Sequence, residues 1–404
     1  MPLAVYVLGL AIFAQGTSEL MLAGLLPEIA RDLGVSIPGA GLLISAFALG
    51  MLVGAPVLAV VTARLPRRTS LVAFIAVFVL THVVAALTSS YGVLFATRVV
   101  GAFVYAGFWA IAAITAVGLV PENARGKAMS VVAGGLTVAT IVGLPAGTVI
   151  GQHLGWRAAF WAVAALSTLA MAGVLATVPG GRPGAASTPR VRDEVRAMAD
   201  RRLWLAYATT AVATGAGIVT FSYLTPLLTD VTGLPASWVP AVLALYGVGS
   251  LLGITAGGRT ADARPFPTLY VGVAGLLAVS VALAFAAGTP VVAVPLVFLL
   301  GVFAFVVNPA LNTRVFTLSA QAPTLGAAVN FSAFNVGITA GPWLGGLAID
   351  AGAGYTATPW IGVALGLVAL AAVALSARAR TRPQAEAAGA AGAAEPVEPA
   401  TAGA

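Results

Sequence analysis

Long apolar runs alternate with short polar punctuation along almost the whole chain. Runs able to span an apolar core of roughly 30 Å fall at residues 3–26, 39–63, 70–89, 91–119, 127–150, 157–178, 203–229, 238–259, 266–287, 290–313, 324–349 and 358–376. Pro38-Gly39, Ser89-Ser90-Tyr91-Gly92, Pro121-Glu122-Asn123 and Gly288-Thr289-Pro290 are turn chemistry between them. The pattern predicts an all-α membrane protein with twelve transmembrane helices. One longer polar stretch, with Gly181, Pro183, Gly184 and charged residues from Arg190 to Arg202, follows the sixth run. The expected organisation is a six-helix half at 1–179, a basic linker at 180–202, a second six-helix half at 203–376 and a disordered tail at 377–404. The first run contains Glu19 and lacks a basic leader or a clear cleavage site, so it reads as a membrane helix and not a cleaved signal.

The two halves look like repeats. A shift of 199 residues brings Pro27 onto Pro226, Gly34 onto Gly233, Gly50 and Gly54 onto Gly249 and Gly253, Gly147 onto Gly346, and Gly155 onto Gly354. Glycine is abundant (47 residues), so the paired Gly-x-x-x-Gly spacings and the shared proline count for more than single coincidences. The register drifts by one in the middle, where Gly101 meets Gly301 and Gly126 meets Gly326. Two six-helix pseudo-repeats suit a protein that rocks about a central site.

Composition strengthens the membrane reading. The chain is 60% hydrophobic and 8% charged, with a mean hydropathy of +1.01, whereas soluble domains carry about 25% charged residues. With no cysteine and two histidines, disulfides, thiolate sites and histidine metal clusters are excluded, and no metal or cofactor is expected. The net charge of +7 is an orientation signal and not a nucleic-acid footprint. With both termini in the cytoplasm, 17 of the 20 Lys and Arg fall on the cytoplasmic side, Arg31 and Arg157 fall outside, and Arg98 lies within the fourth run. A multi-pass protein of the inner (plasma) membrane, working as a monomer, is the expectation.

Several local patterns resemble the major facilitator superfamily, in particular its twelve-helix drug:proton antiporter branch. Thr97, Arg98, Gly101 and Ala102 are similar to that branch's intramembrane arginine motif. Gly143, Pro145, Gly147 and Gly151 look like a shortened antiporter glycine-proline motif. Gly155-Trp156-Arg157 with Phe160 and Trp161 resembles the family's entry to helix six, and Asn330, Asn335, Gly337, Gly341-Pro342 and Gly345-Gly346 follow the order expected in helix eleven. The segment from Tyr6 and Gly9 through Phe13, Gln15, Gly16, Thr17, Ser18 and Glu19 to Leu25-Leu26-Pro27 looks like the chloramphenicol exporters of actinomycetes. The loop after helix two departs from the family: Ala63-Arg64-Leu65-Pro66-Arg67-Arg68 lacks the usual acid and glycine, while the repeat places Asp262 opposite Ala63. The resemblance therefore implies gating by Arg64, Arg67, Arg68 and Asp262, with the ion pair in doubt in the first half.

Individual residues sharpen the picture. A charged residue in the middle of a membrane helix costs about 2.5–3.5 kcal/mol on insertion scales, so Glu19 calls for a reason. It stands as a proton carrier or, alternatively, as an acid reaching headgroups from the outer end of its helix. Arg98 stays protonated; it tunes a nearby acid, ties helices together through backbone carbonyls, or does both. Gln15 and Glu19 share a helical face, as do Arg98, Tyr105 and Trp109, and Asn308 and Asn312. With Phe221 and Tyr223 these give the apolar walls and polar anchors that an amphiphilic drug needs, although each aromatic also suits helix packing or an interfacial belt. His82 and His153 lie near the ends of runs and receive no functional role.

The function implied is proton-coupled export of a small hydrophobic drug, with chloramphenicol or a related phenicol as first candidate. Its partners are the drug, protons and the lipid bilayer, with no nucleic acid. Export of sugars or other metabolites in the same fold is the alternative. An enzyme is not expected, since no nucleophile–base pair or phosphate loop is visible.

Overall fold

The computed structural model describes residues 1–61, 65–180 and 198–392. Its long helices are α1 (Leu3–Leu33), α2 (Ile37–Val61), α3 (Arg67–Leu87) and α4 (Tyr91–Gly118). Next comes α5, whose segments Arg125–Val138 and Leu144–Leu154 are joined by a π-helical turn at Ala139–Gly143, and then α6 (Trp156–Thr177). The second set is α7 (Arg201–Ser222), α8 (Val239–Ala261), α9 (Pro265–Ala286), α10 (Pro290–Leu318), α11 (Pro323–Ala348) and α12 (Ala357–Gly392). Among the described residues, eleven helices are long and apolar enough to cross a membrane. The one long helix outside that set is α11, which carries Asn330, Asn335 and Pro342 within its 26 residues.

Backbone chemistry sets the breaks. Pro145 cannot donate the hydrogen bond expected of its position, and the π turn just before it absorbs the mismatch. The seventh run does not form one continuous helix over 203–229. It leaves helical geometry at Tyr223 (φ −109°, ψ 19°) and continues through Leu224–Pro226 into a π turn at Leu227–Val231. The last helix extends well beyond the predicted 358–376, as far as Gly392. That helix covers residues 377–392 of the segment expected as a tail. Residues 393–404 and most of the 180–202 linker lie outside the described residues.

Two seams have the same construction. A Cβ at Gly50 would meet the Val99 carbonyl oxygen at 2.2 Å, and one at Gly54 the Phe103 carbonyl oxygen at 2.4 Å, so α2 and α4 touch backbone to backbone. Gly249 and Gly253 of α8 meet the carbonyl oxygens of Phe298 and Val302 of α10, each at 2.2 Å. All four contacts obey the 199-residue shift on both partners. So do the helix-ending glycines at positive φ, Gly34 (64°) with Gly233 (70°) and Gly155 (83°) with Gly354 (71°). Small residues let helices approach closely where lipid offers no hydrophobic drive to associate.

Residues 1–180 and 198–392 meet along α2 and α11, where Ser332 donates to the Leu52 carbonyl (3.4 Å), and at the end opposite the chain's N-terminus. There Thr225 donates to the Ala23 carbonyl (2.8 Å), Gln152 to that of Ala236 (2.9 Å), and Ser45 to that of Thr339 (2.8 Å). Tyr223, fully buried, wedges against Gly41 of α2 and against Gly345 and Gly346 of α11 while its hydroxyl donates to the Pro342 carbonyl at 2.7 Å. At the same end Asp32 accepts from Trp156 Nε1 (3.0 Å) and pairs with Arg157, which also donates to the Thr88 carbonyl (2.9 Å), stapling α1, α3 and α6.

Candidate functional site

The site begins with one arginine. Arg98, on α4, is 2% exposed and faces α1. Its Nη1 donates to Ser18 Oγ (2.8 Å) and its Nη2 to the Ser18 carbonyl (3.0 Å). The guanidinium lies 4.2 Å from the centre of the Phe47 ring, an arrangement in which a desolvated cation gains from the ring's negative face. His82 of α3 completes the cluster: Nε2 is 2.6 Å from Ser18 Oγ and Nδ1 is 2.8 Å from the Phe78 carbonyl. The His82 ring sits 4.2 Å from Phe78 and 5.6 Å from Phe160. Three helices thus converge on one serine hydroxyl. That hydroxyl accepts from Arg98 and so has its proton free for His82, which fixes His82 Nε2 as the acceptor and Nδ1 as the donor to Phe78.

Glu19 is the next residue along α1 and is half-buried. It lies within electrostatic reach of Arg98 and of Tyr105, the latter one of the largest fully buried side chains. Among the described residues, no direct Glu19–Arg98 ion pair forms. The cation is anchored instead on the neighbouring serine. Gln15, one turn before Glu19, is 1% exposed; its Nε2 donates to the Ala11 carbonyl (3.3 Å) and its Oε1 is buried without a partner. An unmet acceptor of this kind is a ready partner for a water or a substrate donor.

The glycine-proline motif is the seam between α1 and α5. A Cβ at Gly143 would stand 2.1 Å from Thr17 Oγ1, at Gly147 2.8 Å from Met21 Cβ, and at Gly151 2.0 Å from Leu25 Cδ2. Thr17 of this seam directly precedes Ser18 and Glu19 on α1. The π turn preceding Pro145 also touches α8, where a Cβ at Gly247 would come within 2.6 Å of the Thr140 carbonyl.

The remaining expected residues lie in separate clusters. Phe221 stacks on Tyr246 (4.6 Å, 22°), which meets Phe305 edge-on at 6.3 Å. Asn312 donates to the Asn308 carbonyl (3.0 Å) and accepts from Asn330 Nδ2 (2.7 Å), and Thr210 donates to Asn330 Oδ1 (3.3 Å). Trp109, Asn308 and Asn312 are half-buried. Phe221, Tyr105 and Gln15 are buried, and Tyr223 is spent on the closed end described above, where it packs rather than lines a cavity.

The gating set does not come together. Arg64 lies outside the described residues. Arg68 donates to the Leu175 carbonyl of α6, and Arg67 sits beside Gly118 at the end of α4. Asp262 accepts from Thr313 Oγ1 at 3.2 Å, and no contact joins it to Arg67 or Arg68 among the described residues. Ser18, His82 and Phe47 were missed as site residues. Ser18 adjoins the singled-out acid, and a histidine in an apolar run is itself a signal, but only the packing of α3 on α1 shows what it serves.

A family model of the Major Facilitator Superfamily matches residues 8–332. The chain belongs to that superfamily and is a multi-pass membrane transporter. It is 44% identical over 372 residues to the "Chloramphenicol resistance protein" of Streptomyces lividans, covering 92% of this chain and 95% of the relative. It is 35% identical to the "Inner membrane transport protein YdhP" of Escherichia coli (strain K12), covering 92% and 95%. Against the "Uncharacterized MFS-type transporter YtbD" of Bacillus subtilis (strain 168) the identity is 36%, covering 93% and 95%. Among solved structures, a bacterial homologue of the human lysosomal transporter Spinster, in an inward-facing and occupied conformation, superposes with a TM-score of 0.72 at 17% identity, covering 93% of this chain and 96% of that one. The human organic anion transporter MFSD10 (TETRAN) gives 0.64 at 19% identity, covering 92% and 98%. The resemblance read from the motifs is thereby confirmed at the level of the family, and the likeness to these two structures concerns the fold.

Proposed function

We propose that this protein exports a small hydrophobic drug in exchange for protons, with chloramphenicol or a related phenicol as the first candidate. The observation that carries the coupling is the placement of Glu19 beside an arginine held by Ser18 and, through it, His82. A carboxyl group next to a fixed cation, at a seam that must move, can take up and release a proton as access alternates. The drug assignment rests on the 44% identity to a chloramphenicol resistance protein. It is supported by the aromatic groups around Tyr105, Trp109, Phe221 and Tyr246. The asparagine network spends much of its hydrogen bonding on itself, which favours an apolar cargo over a sugar or other polar metabolite.

In this reading α11 brings the number of membrane helices to twelve, and the matched seams mark two six-helix repeats. Both termini lie in the cytoplasm, as the distribution of basic residues favours, and the membrane is the cell's inner membrane. The hydrogen bonds at Thr225, Gln152 and Ser45 close the outer end, so the form described opens inward. The protein acts as a monomer, and Arg67, Arg68 and Asp262 serve the cytoplasmic gate. The test is export from a pump-deficient host loaded with chloramphenicol, with and without a protonophore. Protonophore-sensitive export supports the reading. Accumulation unaffected by expression of the protein refutes the substrate, and export indifferent to the protonophore refutes the coupling.

A further inference from the structure

A second buried arginine stands apart from the Glu19 site. Arg314, one turn before the end of α10, is 8% exposed, and its Nη1 is fully buried without a hydrogen-bond partner. The guanidinium lies 4.7 Å from the Phe266 ring centre, which stabilises the cation but satisfies no N–H. Arg314 lines a cavity at the end of the bundle where α7 and α9 begin and α10 ends, together with Arg202, Leu205, Phe266, Thr317 and Ser376. Ser376, on α12, is 7% exposed, and its Oγ is likewise buried without a partner. Two orphaned donors from different helices, one of them a cation, therefore line one cavity. Buried polar groups are ordinarily satisfied, and a lost partner costs about 1–3 kcal/mol, more for a charge. Arg202, exposed at the mouth, adds a second cation.

The chemistry of the missing partner follows from its surroundings. It must accept several hydrogen bonds and carry negative charge. Thr317 Oγ1 donates to the Thr313 carbonyl and Thr313 Oγ1 to Asp262 at 3.2 Å, and neither hydroxyl lies within hydrogen-bond reach of Arg314 Nη1. Asp262 reaches the cavity wall only through Thr313 and makes no contact with Arg314 among the described residues. A fork of N–H donors with a flanking hydroxyl matches phosphate oxygens. The apolar floor of Leu205, Pro265, Phe266 and Leu318 suits the glycerol and upper acyl carbons of a lipid.

We propose that Arg314, Arg202 and Ser376 form a binding site for a phosphate-bearing group, supplied by an anionic lipid headgroup or by free phosphate. The site rests on the membrane-spanning reading and is independent of which cargo is exported. The test uses the purified full-length protein in neutral detergent, with its thermal unfolding midpoint titrated against dioleoylphosphatidylglycerol, dioleoylphosphatidylcholine and sodium phosphate. Wild-type protein should be stabilised saturably by phosphatidylglycerol, with half-saturation at least tenfold higher in Arg314→Gln and about tenfold higher in Ser376→Ala, which loses one hydrogen bond to a charged acceptor. A response confined to phosphatidylglycerol assigns the site to lipid; an equal, Arg314-dependent response to sodium phosphate assigns it to the free anion. Should Arg314→Gln not fold, Arg202→Gln and Ser376→Ala decide the matter. The proposal falls if neither probe stabilises the wild-type protein, if phosphatidylcholine acts at the same concentrations as phosphatidylglycerol, or if half-saturation is unchanged in the variants that fold.

Discussion

The two halves of this transporter share a scaffold and differ in their chemistry. The α2–α4 and α8–α10 seams are built from the same glycines against the same carbonyls, 199 residues apart. Yet the shift carries Ser18 onto Gly217, Glu19 onto Ile218 and Arg98 onto Val297, which is fully buried. The second half fills its interior instead with neutral amides, Asn312 and Asn330, bonded to each other and to Thr210. A repeated fold thus supplies the motion in both halves, while the charged cluster sits in one. On the proposed function, proton handling falls to the first half, and the amides and aromatic rings of the second half contact the drug.

The largest effect expected on this comparison is at Arg98. Arg98→Met removes two charged hydrogen bonds and leaves Ser18 and His82 without their cation, costing about 3 kcal/mol; gradient-driven export should fall by two orders of magnitude or more. Val297→Met, at the repeat-related position, overfills a packed site and should cost about 1–3 kcal/mol while leaving gradient-driven export largely intact. Thermal unfolding and vesicle transport measure both, and equal losses would erase the asymmetry.

Scaffold equivalence makes a different demand. Gly50→Ala and Gly249→Ala each drive a methyl group into a carbonyl at 2.2 Å and should each cost about 1–3 kcal/mol. Matching losses in unfolding midpoint support a shared seam, whereas a loss confined to one half would show that only one seam is tight. Smaller again are two variants that separate the roles. Ser18→Ala should cost about 1–2 kcal/mol and weaken the dependence of export on the pH gradient. Asn330→Ala should leave that dependence intact while raising the half-saturating drug concentration severalfold. A reversal of these two phenotypes would place coupling in the second half. The least effect is expected from Arg157→Ala, since the staple to Asp32 is partly exposed and such pairs contribute about 0–1 kcal/mol.

Much of the fold was legible because lipid imposes a simple rule, long apolar runs with polar punctuation, and because glycines and prolines recur at a fixed interval. The break at Tyr223 and the π turns were not legible. They depend on where a proline's missing donor is absorbed, although Pro226 and Pro145 marked the places. Glu19 and Arg98 announced themselves as charges in apolar runs. Ser18 and His82 did not, because a lone serine or histidine on a helix has no meaning until a third helix brings it a partner. Tyr223 misled in the other direction: its place near Phe221 suggested a cavity wall, but glycines at 41, 345 and 346 clear a slot that buries it whole.

The central claim is that Glu19 carries the proton while Arg98 is held in place beside it. Its most direct test is chloramphenicol transport by Glu19→Gln protein reconstituted in liposomes, measured once with an imposed pH gradient and once as drug exchange without one. The account predicts that gradient-driven accumulation is lost while exchange persists at near wild-type rates, because the fold and the drug contacts do not depend on the charge. Gradient-driven transport surviving in Glu19→Gln would contradict it.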